Sequence, residues 1–339
     1  SRGLGDVYKR QNHFSSSSGV LFSEDGETVF QYPAGKTGNF QDPDVTTIRE
    51  KAFQGSSITT FTITEAITSI GDGAFADCDA LTSFVMASDQ TNRTFTVSNG
   101  VLFTDSNKTL QQYPAGKADA SYTIPTGTTE VSPYAFMGSK VTSVTFNASL
   151  RTIGAEAFSG SSITSLTLNS GLTNVGQGAF SDCDALTQVS IPSSVRSLGN
   201  YVFAGCTALE TVSWAATTSG NNSIGAYAFS GCTSLSDINI PYSVTDLEET
   251  FAGCTSLEKV ILSGNYYTTE LRGTFQGCTS LREVSIPWTV TVGDDTFAGC
   301  DSLEYIDIGR ASFVGDDAFS GCSSLTELRF SKDITLIGD

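Results

Sequence analysis

The sequence predicts a β-rich solenoid, in which successive coils of chain stack along one axis. Three observations predict it: a phenylalanine that recurs at a nearly fixed interval, a strand pattern after each copy, and a long element that occurs twice. Six of the ten steps between the phenylalanines are 22 residues, which suits a coil of one strand and one return segment. The phenylalanines are Phe53, Phe75, Phe136, Phe158, Phe180, Phe203, Phe229, Phe251, Phe275, Phe297 and Phe319.

The strand of each coil is marked by the spacing L-x-x-V-x-I, as in Leu281, Val284 and Ile286. The last two of these alternate, so both side chains fall on one face of a short strand. Stacking the coils should pair these strands into a parallel sheet whose neighbouring strands lie about 4.8 Å apart.

The return segment is marked by Gly and Asp before the phenylalanine and by Gly two residues after it. Asp77 and Asp182 replace that later Gly in two copies. The first Asp suits the N-cap of a short helical turn, and the Gly-to-Asp exchange predicts a positive φ where the turn ends. The phenylalanine between them should point inward and stack on its counterparts.

A cysteine follows the phenylalanine by three residues in eight of the coils. A buried ladder of structural thiols fits this small, weakly polar residue. Disulfides between neighbouring coils are within reach, although seven consecutive members cannot pair evenly. Zinc binding lacks both a C-x-x-C pair and a partnering histidine. The cysteines are Cys78, Cys183, Cys206, Cys232, Cys254, Cys278, Cys300 and Cys322.

The repeated long element is "GVLFSEDGETVFQYPAGK" at residues 19–36 and "GVLFTDSNKTLQQYPAGK" at residues 100–117. Each copy has two alternating apolar runs around a turn, which predicts a β-hairpin. The predicted organisation is one solenoid over residues 14–339. Its hairpin-bearing coils lie at 14–53 and 95–136, its regular coils of about 22 residues lie at 53–86 and 136–339, and the last coil is expected to be truncated.

Residues 1–13 differ in character from the remainder, and we expect them to lie outside the fold. The opening stretch SRGLGDVYKRQ looks like translated adapter sequence, and a short disordered native arm is the alternative.

The repeated phrase AF-x-G-C-x-S-L-x-x-V-x-I-P, together with the GVLF…YPAGK element, resembles the BspA-type leucine-rich repeat family of bacterial and protist surface proteins. The resemblance covers roughly residues 14–339. It implies a right-handed leucine-rich-repeat solenoid with a parallel sheet on the concave face. It also implies a secreted or surface-anchored protein that binds host or neighbouring-cell proteins, and it brings no shared catalytic residues.

Charge and hydrophobicity argue against nucleic acid as a partner and against insertion into a membrane. The net charge is −18, with 18 Lys and Arg residues against 36 Asp and Glu residues, so the clustered basic surface that nucleic acid requires is not expected. No apolar run reaches the length of a membrane-spanning helix, so we expect no membrane insertion by this stretch of chain.

Catalysis is not expected, because His13 is the only histidine and a Ser or Cys nucleophile therefore has no imidazole base. No cofactor loop or metal-ligand motif is present, so no cofactor or metal is predicted. The carboxylates of Asp294 and Asp295 recur 22 residues later at Asp316 and Asp317. Capping of turns is the favoured reading of these residues, and calcium binding and glycoside hydrolysis are the alternatives.

Aromatic residues at one rim of the sheet are the candidate binding residues. Tyr242 and Trp288 each follow a proline that ends a strand, and the longer coil between them supplies Tyr266 and Tyr267. Exposed aromatic clusters mark recognition surfaces for protein or sugar, although these rings would equally cover their own loops. On the next strand, Tyr305 and Asp307 lie between inward positions and should face the concave side.

The sequence therefore predicts a non-catalytic interaction or adhesion module of a secreted or cell-surface protein. Its expected partners are extracellular or host-surface proteins, because a long preformed surface can engage a large partner at a small ordering cost. The alternative is a carbohydrate-binding surface protein that uses the aromatic rim.

Overall fold

The structure is a computed structural model that describes most of the chain as two compact units, Ser1–Ser161 and Ser162–Asp339. The predicted arm at residues 1–13 lies outside the described residues. That one solenoid runs from residue 14 to residue 339 stays a prediction. The described residues are 14–36, 38–87, 92–215, 223–240, 247–262, 270–286, 291–309, 311, 313–330, 332 and 334–339.

The first unit is built from short strands and one 3-10 turn at Asp105–Asn107. Its strands are β1 (Phe14–Ser17), β2 (Val20–Ser23), β3 (Thr28–Gln31), β4 (Thr47–Ile48), β5 (Thr60–Ile63), β6 (Ser69–Ile70), β7 (Ser83–Met86), β8 (Phe95–Ser98), β9 (Val101–Thr104), β10 (Thr109–Gln112), β11 (Ser121–Thr123), β12 (Glu130–Val131), β13 (Ser143–Thr145) and β14 (Thr152–Ile153).

The described residues of the second unit contain strands and turns but no helix. Its strands are β15 (Ser165–Thr167), β16 (Asn174–Val175), β17 (Gln188–Ile191), β18 (Ser197–Leu198), β19 (Thr211–Trp214), β20 (Ser223–Ile224), β21 (Asp237–Ile240), β22 (Lys259–Leu262), β23 (Glu283–Ser285), β24 (Tyr305–Asp307), β25 (Phe313–Val314), β26 (Glu327–Arg329) and β27 (Leu336–Ile337).

Each regular coil contributes one longer strand, and several coils also contribute a two-residue strand. Where strands of neighbouring regular coils pair, they pair in parallel. In the second unit the longer strands form the sheets β15-β17-β19, β21-β22-β23 and β24-β26. The shorter strands pair as β16-β18-β20 and β25-β27. Register follows the apolar pattern, since Val189 pairs with Val212 and Val260 pairs with Val284. The predicted parallel stacking of L-x-x-V-x-I strands is therefore confirmed.

Both long elements form antiparallel hairpins in the first unit, as predicted. Strands β1, β2 and β3 are joined to β4, and strands β8, β9 and β10 are joined to β12. Gly26 lies in the turn between β2 and β3 at φ +80, a conformation that glycine adopts without steric cost. The aromatic ring after each hairpin enters the core: Tyr32 stacks on Phe53 at 4.8 Å and Tyr113 stacks on Phe136 at 4.8 Å.

The repeated phenylalanines form interior columns. In the second unit, Phe229 lies 5.6 Å from Phe251, which lies 6.0 Å from Phe275, and the ring planes are within 6° of parallel in both pairs. All three side chains are fully buried. Phe297 continues the column, 5.4 Å from Phe275, so the predicted inward stack is confirmed.

The return segments are single turns that are held to the next coil rather than short helices. The Phe229 N–H donates to the Thr250 carbonyl at 2.9 Å, and the Gly231 N–H donates to the Ala252 carbonyl at 2.9 Å. The predicted positive φ two residues after the phenylalanine is present at glycine and at Asp77 and Asp182. A left-handed residue also occurs two positions before the phenylalanine, and this interrupts helical geometry. These preceding residues are Lys51, Gly73, Tyr134, Glu156, Gly178, Tyr201, Tyr227, Glu249, Gly273, Asp295 and Asp317.

Candidate functional site

The strand face of the second unit is the surface that its longer strands turn toward solvent. Along each strand the residues alternate between core and solvent, as in the exposed Asp237, the buried Ile238 and the exposed Asn239. The outward residues are Ser165, Thr167, Gln188, Ser190, Thr211, Ser213, Asp237, Asn239, Lys259, Ile261, Glu283, Ser285, Tyr305, Asp307, Glu327 and Arg329.

Tyr305 and Asp307 occupy outward positions of β24, as their alternation with inward residues predicts, and that this side is concave stays a prediction. The Tyr305 side chain is 41% exposed on β24, Ile306 between the two is buried, and Asp307 is exposed. The other predicted binding residues, Tyr242, Tyr266, Tyr267 and Trp288, lie outside the described residues. Their grouping at one rim and their role in binding stay predictions.

The character of the strand face changes along the second unit. Its first three strands, β15, β17 and β19, present hydroxyl and amide side chains. From β21 onward every longer strand presents charged side chains. Because the residues under this face form the core, the outward residues are free to differ from coil to coil without changing the fold.

Two cations of the strand face are paired with its own carboxylates. Lys259 Nζ lies 2.8 Å from Glu283 Oε1, and Arg329 Nε lies 2.7 Å from Glu327 Oε1. The Arg329 guanidinium also lies 5.4 Å from the centroid of the Tyr305 ring, which is the geometry of a cation–π contact. Exposed pairs of this kind contribute at most about 1 kcal/mol each, so their main effect is to fix side-chain positions.

A depression of about 400 Å³ opens on the strand face over β21 and β22. Asp237, Glu258, Lys259 and Ile261 line it together with Ser236, Ile238 and Asn239. Its size is within the range of about 300–1,000 Å³ that is usual for ligand-binding clefts. It was not predicted from the sequence, because periodicity gives the outward positions but not the hollows between their side chains.

The strand face is parted between β19 and β21. These strands belong to neighbouring coils but to separate sheets, while the return sides of the same coils remain joined through the bond from the Phe203 N–H to the Ala228 carbonyl at 2.8 Å. Trp214 ends β19 at the core position that Ile191 holds in β17. Its buried indole Nε1 has no hydrogen-bond partner in the described structure. The longer strands are likewise unjoined between β23 and β24, which also belong to separate sheets.

A second aromatic feature lies on the return side and was missed by sequence reasoning. Tyr201 and Tyr227 stack with centroids 4.8 Å apart and planes 6° apart. A hydrogen bond with Glu249 raises the pKa of Tyr227 to about 12. In the first unit, Lys51 Nζ lies 4.5 Å from the Tyr134 ring centroid at the equivalent position. These residues could have been found in the sequence, because each lies two positions before a repeated phenylalanine.

The paired aspartates act as caps between coils. Asp294 Oδ1 accepts the Asp316 N–H at 2.9 Å, and Asp316 Oδ1 accepts the Asp339 N–H at 3.1 Å. The predicted capping is therefore present, but each carboxylate caps the following coil rather than its own. Asp295 and Asp317 occupy the left-handed position that follows. Within the described ranges, no group of three or more His, Cys, Asp and Glu side chains is arranged to hold a metal ion.

The cysteines form the predicted thiol ladder. All eight are free, and seven are buried. The thiols join each coil to the coil before it: Cys232 Sγ donates to the Phe203 carbonyl at 3.2 Å, and Cys254 Sγ donates to the Phe229 carbonyl at 3.1 Å. Burial raises the pKa of Cys254 to about 12. A thiol in this setting is a structural donor and a poor nucleophile.

The described part of the chain contains no helix that is both long enough and apolar enough to cross a membrane.

Comparison with known proteins identifies the repeat. The model of the BspA type leucine-rich repeat region, in six copies, matches residues 26–107, 119–220, 215–326 and 290–339. No protein with a curated description matches the chain.

A solved structure of a bacterial leucine-rich repeat protein shares the fold. That protein, from Eubacterium ventriosum, is 24% identical with a TM-score of 0.51, and the match covers 85% of this chain and 65% of that chain. The chain thus spans less than two thirds of that protein.

One from Bacteroides ovatus is 23% identical with a TM-score of 0.47, and the match covers 96% of this chain and 89% of that one. A leucine-rich cell surface protein from Faecalibacterium prausnitzii is 20% identical with a TM-score of 0.44, and 94% of each chain is covered. With the family model matching most of its length, the chain belongs to the BspA type leucine-rich repeat family.

Proposed function

We propose that the chain is a non-catalytic protein-interaction module of a secreted or cell-surface protein. It binds proteins of a host or of neighbouring cells, and it does so through the strand face of the second unit. Tyr305 and Asp307 are the described residues expected to contact the partner. Adhesion is the biological role that this binding serves.

The observation that carries the proposal is the alternation of buried and solvent-exposed residues along each strand. Inward residues such as Ile238, Val260 and Ile306 are at most 3% exposed and build the core, whereas the residues between them reach solvent. The backbone under the outward residues is fixed by parallel strand pairing. A partner therefore meets a preformed surface, and little ordering free energy is lost on binding.

The non-catalytic part of the proposal is supported by the use of the aspartates. The carboxylates that were the candidates for glycoside hydrolysis accept backbone N–H groups of the next coil, as Asp294 does from Asp316. Repeated positions also give both members of a pair nearly the same surroundings, whereas acid and base roles need different ones. The extracellular location is supported by the family resemblance, and an export signal or anchor in the full-length reading frame would test it.

The experiment compares Tyr305→Ala with Tyr201→Ala. These tyrosines are 41% and 39% exposed in the same unit, but only Tyr305 lies on the strand face. The chain is immobilised and tested against purified extracellular-matrix and host cell-surface proteins. We expect Tyr305→Ala to weaken capture of the bound protein about tenfold or more, because exposed tyrosines are common binding hot spots, and Tyr201→Ala to leave it unchanged.

Equal effects of the two variants, or no capture of any protein by the full chain, would contradict the proposal. A glycan array run in parallel tests the carbohydrate alternative. Glycan binding that is lost in Tyr266→Ala and Trp288→Ala would favour that alternative.

A further inference from the structure

We infer that the depression over β21 and β22 receives a lysine or arginine side chain of the partner. The inference rests on the proposed function and adds the chemistry of the partner: an extended, basic protein segment that crosses the strand face. Three features support the inference. The depression holds carboxylates that Lys259 does not neutralise, it holds an exposed apolar side chain, and elsewhere on the strand face an arginine already lies against a ring and a carboxylate.

The first feature is that Lys259 forms its ion pair with Glu283 and not with Asp237. In the sheet register Lys259 lies between Asp237 on one side and Glu283 on the other. Its Nζ is within 2.8 and 2.9 Å of the two carboxylate oxygens of Glu283. Asp237 is left with the Ser236 hydroxyl, at 3.2 Å from its Oδ2. The carboxylate on the β21 side of the depression is therefore not neutralised by the lysine beside it.

Glu258 adds a second carboxylate to the same depression. Its backbone N–H donates to the Ser236 carbonyl at 2.8 Å, which places it one position before the Asp237–Lys259 pair in the register. No ion pair joins Glu258 or Asp237 to a cation in the described part of the chain. Two carboxylates against one already paired lysine leave the depression negative, in a chain whose net charge is −18. Such a surface complements a cationic side chain.

The second feature is Ile261, which is 38% exposed at an outward position of β22 and lines the depression. Lysine and arginine have long methylene stems that bury against apolar surface while the charged head stays polar. A stem packed on Ile261 would bring the head group to the carboxylates of Asp237 and Glu258. A small inorganic cation would gain nothing from the isoleucine.

The third feature is an intramolecular example. The Arg329 guanidinium lies 5.4 Å from the centroid of the Tyr305 ring, and its Nε donates to Glu327 Oε1 at 2.7 Å. The strand face therefore already holds one guanidinium between an aromatic ring and a carboxylate. The depression offers an isoleucine and two carboxylates without the guanidinium. Its β21 side is also accessible, because Asp237 and Asn239 are exposed on that strand.

The test measures binding of a fluorescein-labelled Gly-Arg-Gly-Arg-Gly-Arg-Gly peptide to the full chain by fluorescence anisotropy. A peptide with serine in place of arginine is the ligand control. We expect Asp237→Asn and Glu258→Gln each to lower affinity about threefold, and the double variant about tenfold, as for exposed charge pairs. Ile261→Ser should lower it by a similar factor at unchanged net charge.

The matched control is Glu304→Gln, which removes an exposed carboxylate from the same unit but outside the depression. We expect it to change affinity less than twofold. The inference is overturned if the arginine peptide binds no better than the serine peptide, or if Glu304→Gln acts as strongly as the double variant. Circular dichroism of every variant establishes that the fold is retained.

The two proposals fail in different ways. If the full chain captures a protein partner and the Asp237→Asn, Glu258→Gln double variant captures it equally well, the depression is not the cation site and the interaction function stands. If the chain captures no protein but peptide binding depends on the two carboxylates, the depression is confirmed and the interaction function is wrong.

Discussion

Single residues fix the geometry of each return segment, and only part of that geometry is visible in the sequence. The left-handed residue after each phenylalanine was predictable, because glycine exchanges there with Asp77 and Asp182, which tolerate a positive φ. The left-handed residue before it was not predictable. Tyr201 at φ +59 and Lys51 at φ +57 carry no compositional sign of this conformation, and the stacked coils impose it.

Small and large residues complement each other at this second left-handed position. A Cβ at Gly73 would lie 2.9 Å from Tyr134 Cδ2, and a Cβ at Gly273 would lie 2.6 Å from Glu249 Cγ. Each glycine is thus covered by a side chain of a neighbouring coil. Neither pairing follows from the spacing of either residue alone, since it depends on which coils are adjacent.

The thiol ladder predicts a loss of stability at alkaline pH. The pKa of Cys254 is about 12 in the folded chain against an ordinary 9.0, so above pH 9 the unfolded chain holds fewer protons than the folded chain. Stability is therefore fully present below pH 9 and falls from there toward pH 12. The slope is about 1.4 kcal/mol per pH unit for each such thiol.

Urea denaturation at a series of pH values between 7 and 11 measures this loss. Cys254→Ser is the control, because a serine hydroxyl does not ionise in this range and Ser56, Ser139 and Ser161 are buried at the same place in other coils. The variant should lose stability with pH less steeply than the parent chain. Parallel curves would show that Cys254 ionises equally easily in both states.

At the scale of the element, the strands were the most predictable part of the fold. The L-x-x-V-x-I spacing located the inward residues, and the same alternation placed Tyr305 and Asp307 at solvent-facing positions of their strand. The return segments were less predictable. An aspartate before a turn is typical of a helix N-cap, but here the N–H that Asp294 caps belongs to Asp316 in the next coil. A local signal does not distinguish a cap within a coil from a cap between coils.

The phenylalanine column predicts a strong and localised effect of Phe251→Ala. This ring is fully buried between Phe229 and Phe275, so truncation opens a cavity in two coil interfaces. We expect a loss of about 3–5 kcal/mol in the free energy of unfolding, measured by urea denaturation. Phe330→Ala, at a ring that is 52% exposed, is the control and should cost less than about 0.5 kcal/mol. Similar losses for both variants would show that burial in the column does not set the cost.

At the scale of the whole molecule, the family and the solenoid class followed from the sequence, but the candidate site did not. The charge of the depression depends on Lys259 pairing with Glu283 rather than with Asp237, which lie in the coils on either side of it. The break in the strand face between β19 and β21 likewise falls between two coils that the repeat pattern treats as alike. Both are differences between coils, whereas a repeat analysis emphasises what the coils share.

The parted strand face predicts uneven protection from hydrogen exchange within the second unit. β22 is paired on both sides, by β21 and β23, whereas β21 is paired on one side only. Amides of Asp237–Ile240 should therefore exchange faster on average than those of Lys259–Leu262, as mass spectrometry of overlapping peptides would measure. Equal protection of the two strands would mean that β19 and β21 are joined in solution.

The constant and variable parts of a coil fall on opposite sides of its strand. In the cysteine-bearing coils of the second unit, the stretch from the phenylalanine to the strand keeps one length, as from Phe229 to Asp237 and from Phe251 to Lys259. The extra residues of the longer repeats all come after the strand. Because lengthening such a connection costs little entropy, residues can be gained there without shifting the aromatic interior. New binding residues can therefore be added along the edge of the sheet where the strands end, while the buried phenylalanine column stays unchanged.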